Sequence, residues 1–125
     1  MRKFLFYIFL LSGHISFSQS GNTVFNDTVI HELYIESDLP DWFATLEHEF
    51  QLNLSDPENN PEIYHKCKVT FDGTVINDCG FREKGNASNT LTNLSRKKPL
   101  KISFNEFVDK DFDGLKKINL NNFTN

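Results

Sequence analysis

The sequence predicts an α+β unit, an antiparallel or mixed sheet with one covering helix. Three observations carry that prediction. Apolar and polar residues alternate through Val69 to Phe71 and again through Leu100 to Phe104, the period of a half-buried strand. Asp72-Gly73 lies between two strand-like runs, where a hairpin needs its turn. One stretch, Pro40 to Phe50, carries its apolar residues at helical spacing instead.

The elements follow in order. Val29 to Glu36 is rich in β-branched and aromatic residues, and Leu33 and Ile35 share one face, so it reads as a strand. Ser37-Asp38 offers capping groups, Pro40 suits a first helical turn, and Asp41 suits the positive end of a helix dipole. Trp42, Leu46, Glu49 and Phe50 then mark the helix, with Phe43 beside them. Ser55 to Pro61 is a loop by composition. A hairpin spans Ile63 to Phe71 and Thr74 to Glu83. Gly85 to Lys98 is polar and aperiodic, hence a loop. Leu100 to Phe104 is a further strand, and Leu115 to Leu120 a last one. That strand would lie at an uncovered edge unless more chain followed.

With 125 residues there is room for one domain. A formal charge of −4 offers no basic field for nucleic acid. Residues 1–20 have the form of a secretory signal peptide. Arg2 and Lys3 precede the apolar run Phe4 to Leu11, and small residues follow, with cleavage expected after Ser18 or Ser20. The run is roughly half the ~20 residues that a membrane span needs, so no transmembrane helix is expected after cleavage. Losing two cations takes the charge from −4 to −6. The expected product is an acidic, secreted or cell-envelope protein with a flexible lead at 21–28 and a domain from 29 to 125.

Export permits a disulfide between the two cysteines, Cys67 and Cys79. A three-residue hairpin loop puts them opposite each other. A two-residue loop puts Cys67 opposite Asp78 and turns the thiols to opposite faces. Both also occupy apolar strand slots, so two buried free thiols is the other reading. His65, Cys67 and Cys79 are too few ligands, at the wrong spacing, for zinc. Asp109, Asp111, Asp113 and Gly114 begin like a calcium loop, but Lys117 and Leu120 stand at the ninth and twelfth positions, where ligands are needed. An acidic turn between strands is expected instead. Asn-x-Ser/Thr triplets at Asn26, Asn53, Asn86, Asn93 and Asn122 fit an Asn-rich chain and receive no role. The histidines are scattered, and His48 falls on the exposed helix face.

The chemically informative stretch begins at Cys79. Gly80-Phe81-Arg82-Glu83-Lys84-Gly85-Asn86-Ala87-Ser88 is a strand ending in a glycine turn. Arg82 and Lys84 share a face, and Asn86 and Ser88 lie beside exposed amides, a construction able to grip phosphate. Leu100, Ile102 and Phe104 point inward, so Lys101 points the other way. Strand lysines facing a cleft reach nucleotide phosphates in kinases. Each feature also fits a solvated basic strand end, or an edge guarded against aggregation.

Three blocks resemble the CotH (spore coat protein H-like) family of atypical protein kinases. They are Val69-Thr70-Phe71-Asp72-Gly73 through Gly80 to Ser88, then Lys97-Lys98-Pro99-Leu100-Lys101-Ile102-Ser103-Phe104, then Gly114-Leu115-Lys116-Lys117-Ile118-Asn119-Leu120-Asn121-Asn122. The strand and helix from Glu32 to Phe50 fit as well. The resemblance implies the small-lobe side of an ATP cleft, with Arg82, Lys84 and Lys101 as candidate phosphate contacts. It implies ATP and Mg as requirements of a full-length form, and a protein substrate at the cell surface or coat. The family's catalytic and metal-binding aspartates lie beyond the third block. No residue of this chain takes those roles, and the chain alone is expected to be inactive. A non-catalytic exported binding or adhesion module is the alternative.

Overall fold

The computed structural model describes residues 20–85 and 98–121. The signal segment, the turn residues Asn86 and Ser88, the cations Arg96 and Lys97, and the glycosylation triplets at Asn86, Asn93 and Asn122 lie, wholly or in part, outside the described residues.

The described chain is α+β. Its elements are β1 (Leu33–Glu36), α1 (Trp42–Ser55), β2 (His65–Phe71), β3 (Thr74–Glu83), β4 (Leu100–Ser103) and β5 (Lys117–Leu120). The strands form one antiparallel sheet in the order β1-β2-β3-β4-β5. Each strand therefore pairs with its sequence neighbours, although α1 interrupts the chain between β1 and β2.

Residues paired across the sheet share a face. His65, Phe81, Ile102 and Ile118 form one such row across four strands, and Ile35, Val69 and Ile76 form another. Most of these residues are buried, and they make the centre of the core. Helix α1 lies on this face. Its inward stripe is Phe43, Leu46, Glu47, Phe50 and Asn53, with Leu46 only 1% exposed. Trp42, expected inward, is 42% exposed because it lies off that stripe. His48 is exposed, as its position on the helix predicts.

The ends of the helix differ from expectation. It starts at Trp42 and runs past Phe50 to Ser55. Asp41 is the N-cap, with φ at 44°, and its side chain makes no capping bond. Ser37 does not cap the helix either. Its hydroxyl donates to the Lys66 carbonyl at 2.8 Å and accepts from the Leu39 amide at 3.2 Å, fastening the chain to β2 after β1 ends.

Strand β1 is shorter than the sequence suggests. The pairing begins at Leu33, and Ile30 is 97% exposed. His31 and Glu32 are diverted to the hairpin turn. The Glu32 amide donates to Asp72 Oδ1 at 2.8 Å, the Asp72 amide donates to the Glu32 carbonyl at 2.9 Å, and His31 Nδ1 lies 2.6 Å from Asp72 Oδ2.

The turn between β2 and β3 has two residues, since Phe71 pairs with Thr74. Asp72 and Gly73 both have positive φ, 46° and 81°, the geometry that matches strand twist in a tight hairpin. A two-residue loop alone would turn Cys67 and Cys79 to opposite faces. The strands do otherwise, because β3 carries a bulge. Val69 pairs with Ile76 but Cys67 pairs with Cys79. Asp78, at φ 53°, takes up the extra residue.

The lead expected to be flexible is anchored. The Gly21 amide donates to the Asp113 carbonyl at 2.7 Å, and the Thr23 and Val24 amides donate to Asp113 Oδ2 at 2.6 and 3.1 Å. The 109–114 segment is the acidic turn expected, and the carboxylate at its tip binds backbone. Phe112 in that turn packs on Phe71 and Phe104, with ring centroids 5.4 and 5.5 Å away, and closes the end of the core.

Candidate functional site

Arg82 pairs with Lys101, and Lys101 pairs with Asn119. The three lie side by side on the face opposite the helix, because directly paired residues point the same way. Lys84 follows Arg82 by two residues, and its Nζ donates to Asn121 Oδ1 at 2.7 Å. Thus the three cations singled out in the sequence collect at one end of one sheet face.

Their environments differ. Arg82 is 8% exposed and heavily engaged. Its Nη2 lies 2.6 Å from Glu62 Oε2, its Nη1 donates to the Glu83 carbonyl at 2.9 Å, and its guanidinium stands 5.2 Å from the Tyr64 ring. Its buried Nε keeps a hydrogen with no partner among the described residues. Lys101 is half-buried and, among the described residues, has no ion-pair partner. Sequence reasoning missed Lys117 here. It lies on the same face, opposite Ser103, with its Nζ 5.0 Å from the Tyr64 ring and 3.7 Å from Glu106. The alternation of Lys117 and Asn119 with Ile118 and Leu120 carried that signal. At this end of the face Arg82, Lys84, Lys101 and Lys117 meet Glu62 and Glu106, while farther along the same face Lys66 and Lys68 pair with Asp78 and Glu36, so among the described residues the cations here outnumber the carboxylates paired with them.

The opposite face holds a cluster that the sequence did not reveal. Glu83 points toward the helix, paired in register with Leu100. Lys98 Nζ lies 3.2 and 3.3 Å from the two Glu83 oxygens and also pairs with Glu47 of α1. The side chains of Lys98 and Glu83 are 5% and 2% exposed. The Phe43 ring covers the ammonium at 4.5 Å. Hydrogen bonding to Lys98, and then to Gln51, holds the Glu47 carboxyl below its usual range. Lys98 stands at the end of a polar, aperiodic stretch, so no periodicity marked it as an inward residue.

His65 Nε2 is engaged by Glu49 at 2.7 and 2.9 Å, which ties β2 to the helix. Among the described residues no group of three or more His, Cys, Asp or Glu is arranged to hold a metal ion. Cys67 and Cys79 are free, buried thiols. Beside Cys67 a groove of about 700 Å³ opens where β1 leaves the edge of β2, lined by Ser37, Asp38, Lys66 and Asp78 among others.

No helix among the described residues is long and apolar enough to cross a membrane. No protein-family model, curated protein or solved structure matches this chain.

Proposed function

We propose that this chain is the nucleotide-facing, N-terminal part of an exported CotH-like protein kinase, and that Lys101, Arg82 and Lys84 face the phosphates of ATP. One observation carries the reading. The three cations named for phosphate contact share a face and an end of the sheet, and Arg82 and Lys101 are direct register partners. Among the described residues Lys101 has no ion-pair partner, and the buried Arg82 Nε has no acceptor. Lys84 and Asn121 would frame the rim.

The residues fit a polyphosphate anion. Among the described residues no group of three or more His, Cys, Asp or Glu is arranged around a metal ion, and no step through a metal is derived. Phosphoryl transfer also needs an aspartate near the acceptor hydroxyl, and none is assigned here.

The test is to sequence the gene through the Asn125 codon and titrate the longest in-frame product with Mg-ATP. A continuation that binds Mg-ATP, and that loses binding at least tenfold in Lys101→Ala, supports the reading. A stop codon there, or binding indifferent to Lys101, sinks it.

A second reading, an exported binding module without catalysis, draws on the other end of the same face. Tyr34 and Val75 are 58% and 55% exposed there and flank Thr70 in register, beside the edge strand β1.

A further inference from the structure

We infer that Cys67 and Cys79 form a cross-strand disulfide when the chain meets an oxidised low-molecular-weight thiol couple. The inference is independent of the nucleotide reading. It rests on register: the two residues are direct partners on β2 and β3, with both side chains on the core face. Direct antiparallel partners have Cα atoms about 4.5–5.5 Å apart, inside the roughly 4.4–6.8 Å that a disulfide spans. The bulge at Asp78 creates this match, since without it Cys67 would face Asp78. The chain has two cysteines, so one intramolecular pairing exists.

Access decides the order of events. Cys79 is 0% exposed, whereas Cys67 borders the groove at the end of β1. The Cys67 thiol loses its proton, and the thiolate attacks one sulfur of the oxidised couple. A mixed disulfide forms and the first small thiol leaves. Cys79 then loses its proton and attacks the Cys67 sulfur, closing the Cys67–Cys79 bond and releasing the second small thiol. The protein gives up two electrons and two protons, and the small disulfide becomes two thiols. Burial, then the neighbouring Cys79, pushes the Cys67 thiol up to about 12, so closure is slow near neutrality and quickens as pH rises.

The test uses the full chain incubated with oxidised glutathione, then denatured and alkylated with N-ethylmaleimide. Expected is an unalkylated monomer lighter by two hydrogens, with one linked peptide pair containing Cys67 and Cys79, and a thermal midpoint above that of the reduced chain. In Cys79→Ser a glutathione adduct should accumulate on Cys67, and in Cys67→Ser little adduct should form on Cys79. Two alkylated thiols in the wild type, under conditions that oxidise a control hairpin dithiol, would overturn the inference. So would linkage only between chains. The wild-type measurement stands even if a variant fails to fold.

Discussion

Lys98 Nζ lies 3.2 Å from Glu83 Oε2, and both side chains are almost wholly withdrawn from water. Two charges so placed forfeit much of their hydration, and their mutual attraction must offset that loss. Removing one partner is therefore more harmful than removing both. Lys98→Met should lower stability by about 3 kcal/mol, since it leaves Glu83 and Glu47 without this cation. The double variant Lys98→Met/Glu83→Leu should recover part of the loss. Urea unfolding of the three proteins checks this, and a neutral Lys98→Met would show that the pair supports nothing.

Gly73 has φ at 81°, and a Cβ built there meets nothing within 4 Å. Any effect of Gly73→Ala is then conformational rather than steric. The expected loss is about 1–2 kcal/mol, the penalty of a left-handed backbone for a residue bearing Cβ. Thermal melts with unchanged far-UV spectra would isolate it. A change in spectrum would mean the hairpin has shifted instead.

Asp72 should make stability depend on acid. The Glu32 amide, and then His31, hold its carboxyl below the ordinary 3.8. A carboxyl depressed in the folded state stabilises the fold fully above its unfolded value, and that contribution disappears as pH falls through the folded value. Asp72→Asn should therefore be less stable than wild type near neutrality, with the difference closing as pH drops below about 3.8. Denaturant midpoints across that range test the sign, and a gap that widens in acid contradicts it.

Arg82 and Lys101 should separate by role. Arg82→Met removes a nearly buried guanidinium and takes its donor from the buried Glu83 carbonyl, so it should cost roughly 1–3 kcal/mol of stability. Lys101→Ala should leave the midpoint nearly unchanged, because no ion pair among the described residues is lost. If Lys101→Ala instead unfolds the chain, Lys101 is a structural cation and its proposed phosphate role loses its basis.

Asp113 Oδ2 accepts from the amides of Thr23 and Val24. Asp113→Ala should remove hydrogen-exchange protection at those two amides and leave the β2–β3 ladder protected. Unchanged protection would mean that the Gly21 bond to the Asp113 backbone carbonyl and the packing of Val24 on the core hold the lead without the carboxylate.

The α+β class, the hairpin with its turn at Asp72-Gly73 and the outward direction of Lys101 were all legible in the sequence. So was the shared face of Arg82 and Lys84. Each rests on alternation or turn chemistry among residues close in the chain, where side-chain direction follows from strand geometry. Element ends were less legible. Val29 and Ile30 have strand propensity, yet the backbone before Leu33 is spent on clamping Asp72, a partner about forty residues away.

What tertiary structure alone decided is register. Turn length left the cysteine pairing open, and the left-handed Asp78 settled it by adding a residue to β3. Lys98 reads as one more cation beside a polar loop, yet the helix and β3 converge on it with Glu47 and Glu83. Lys117 became a neighbour of Arg82 through Tyr64, a contact made across strands. Local periodicity determines which way a side chain points. Only long-range pairing determines what it meets there, because a single inserted residue reverses every face beyond it.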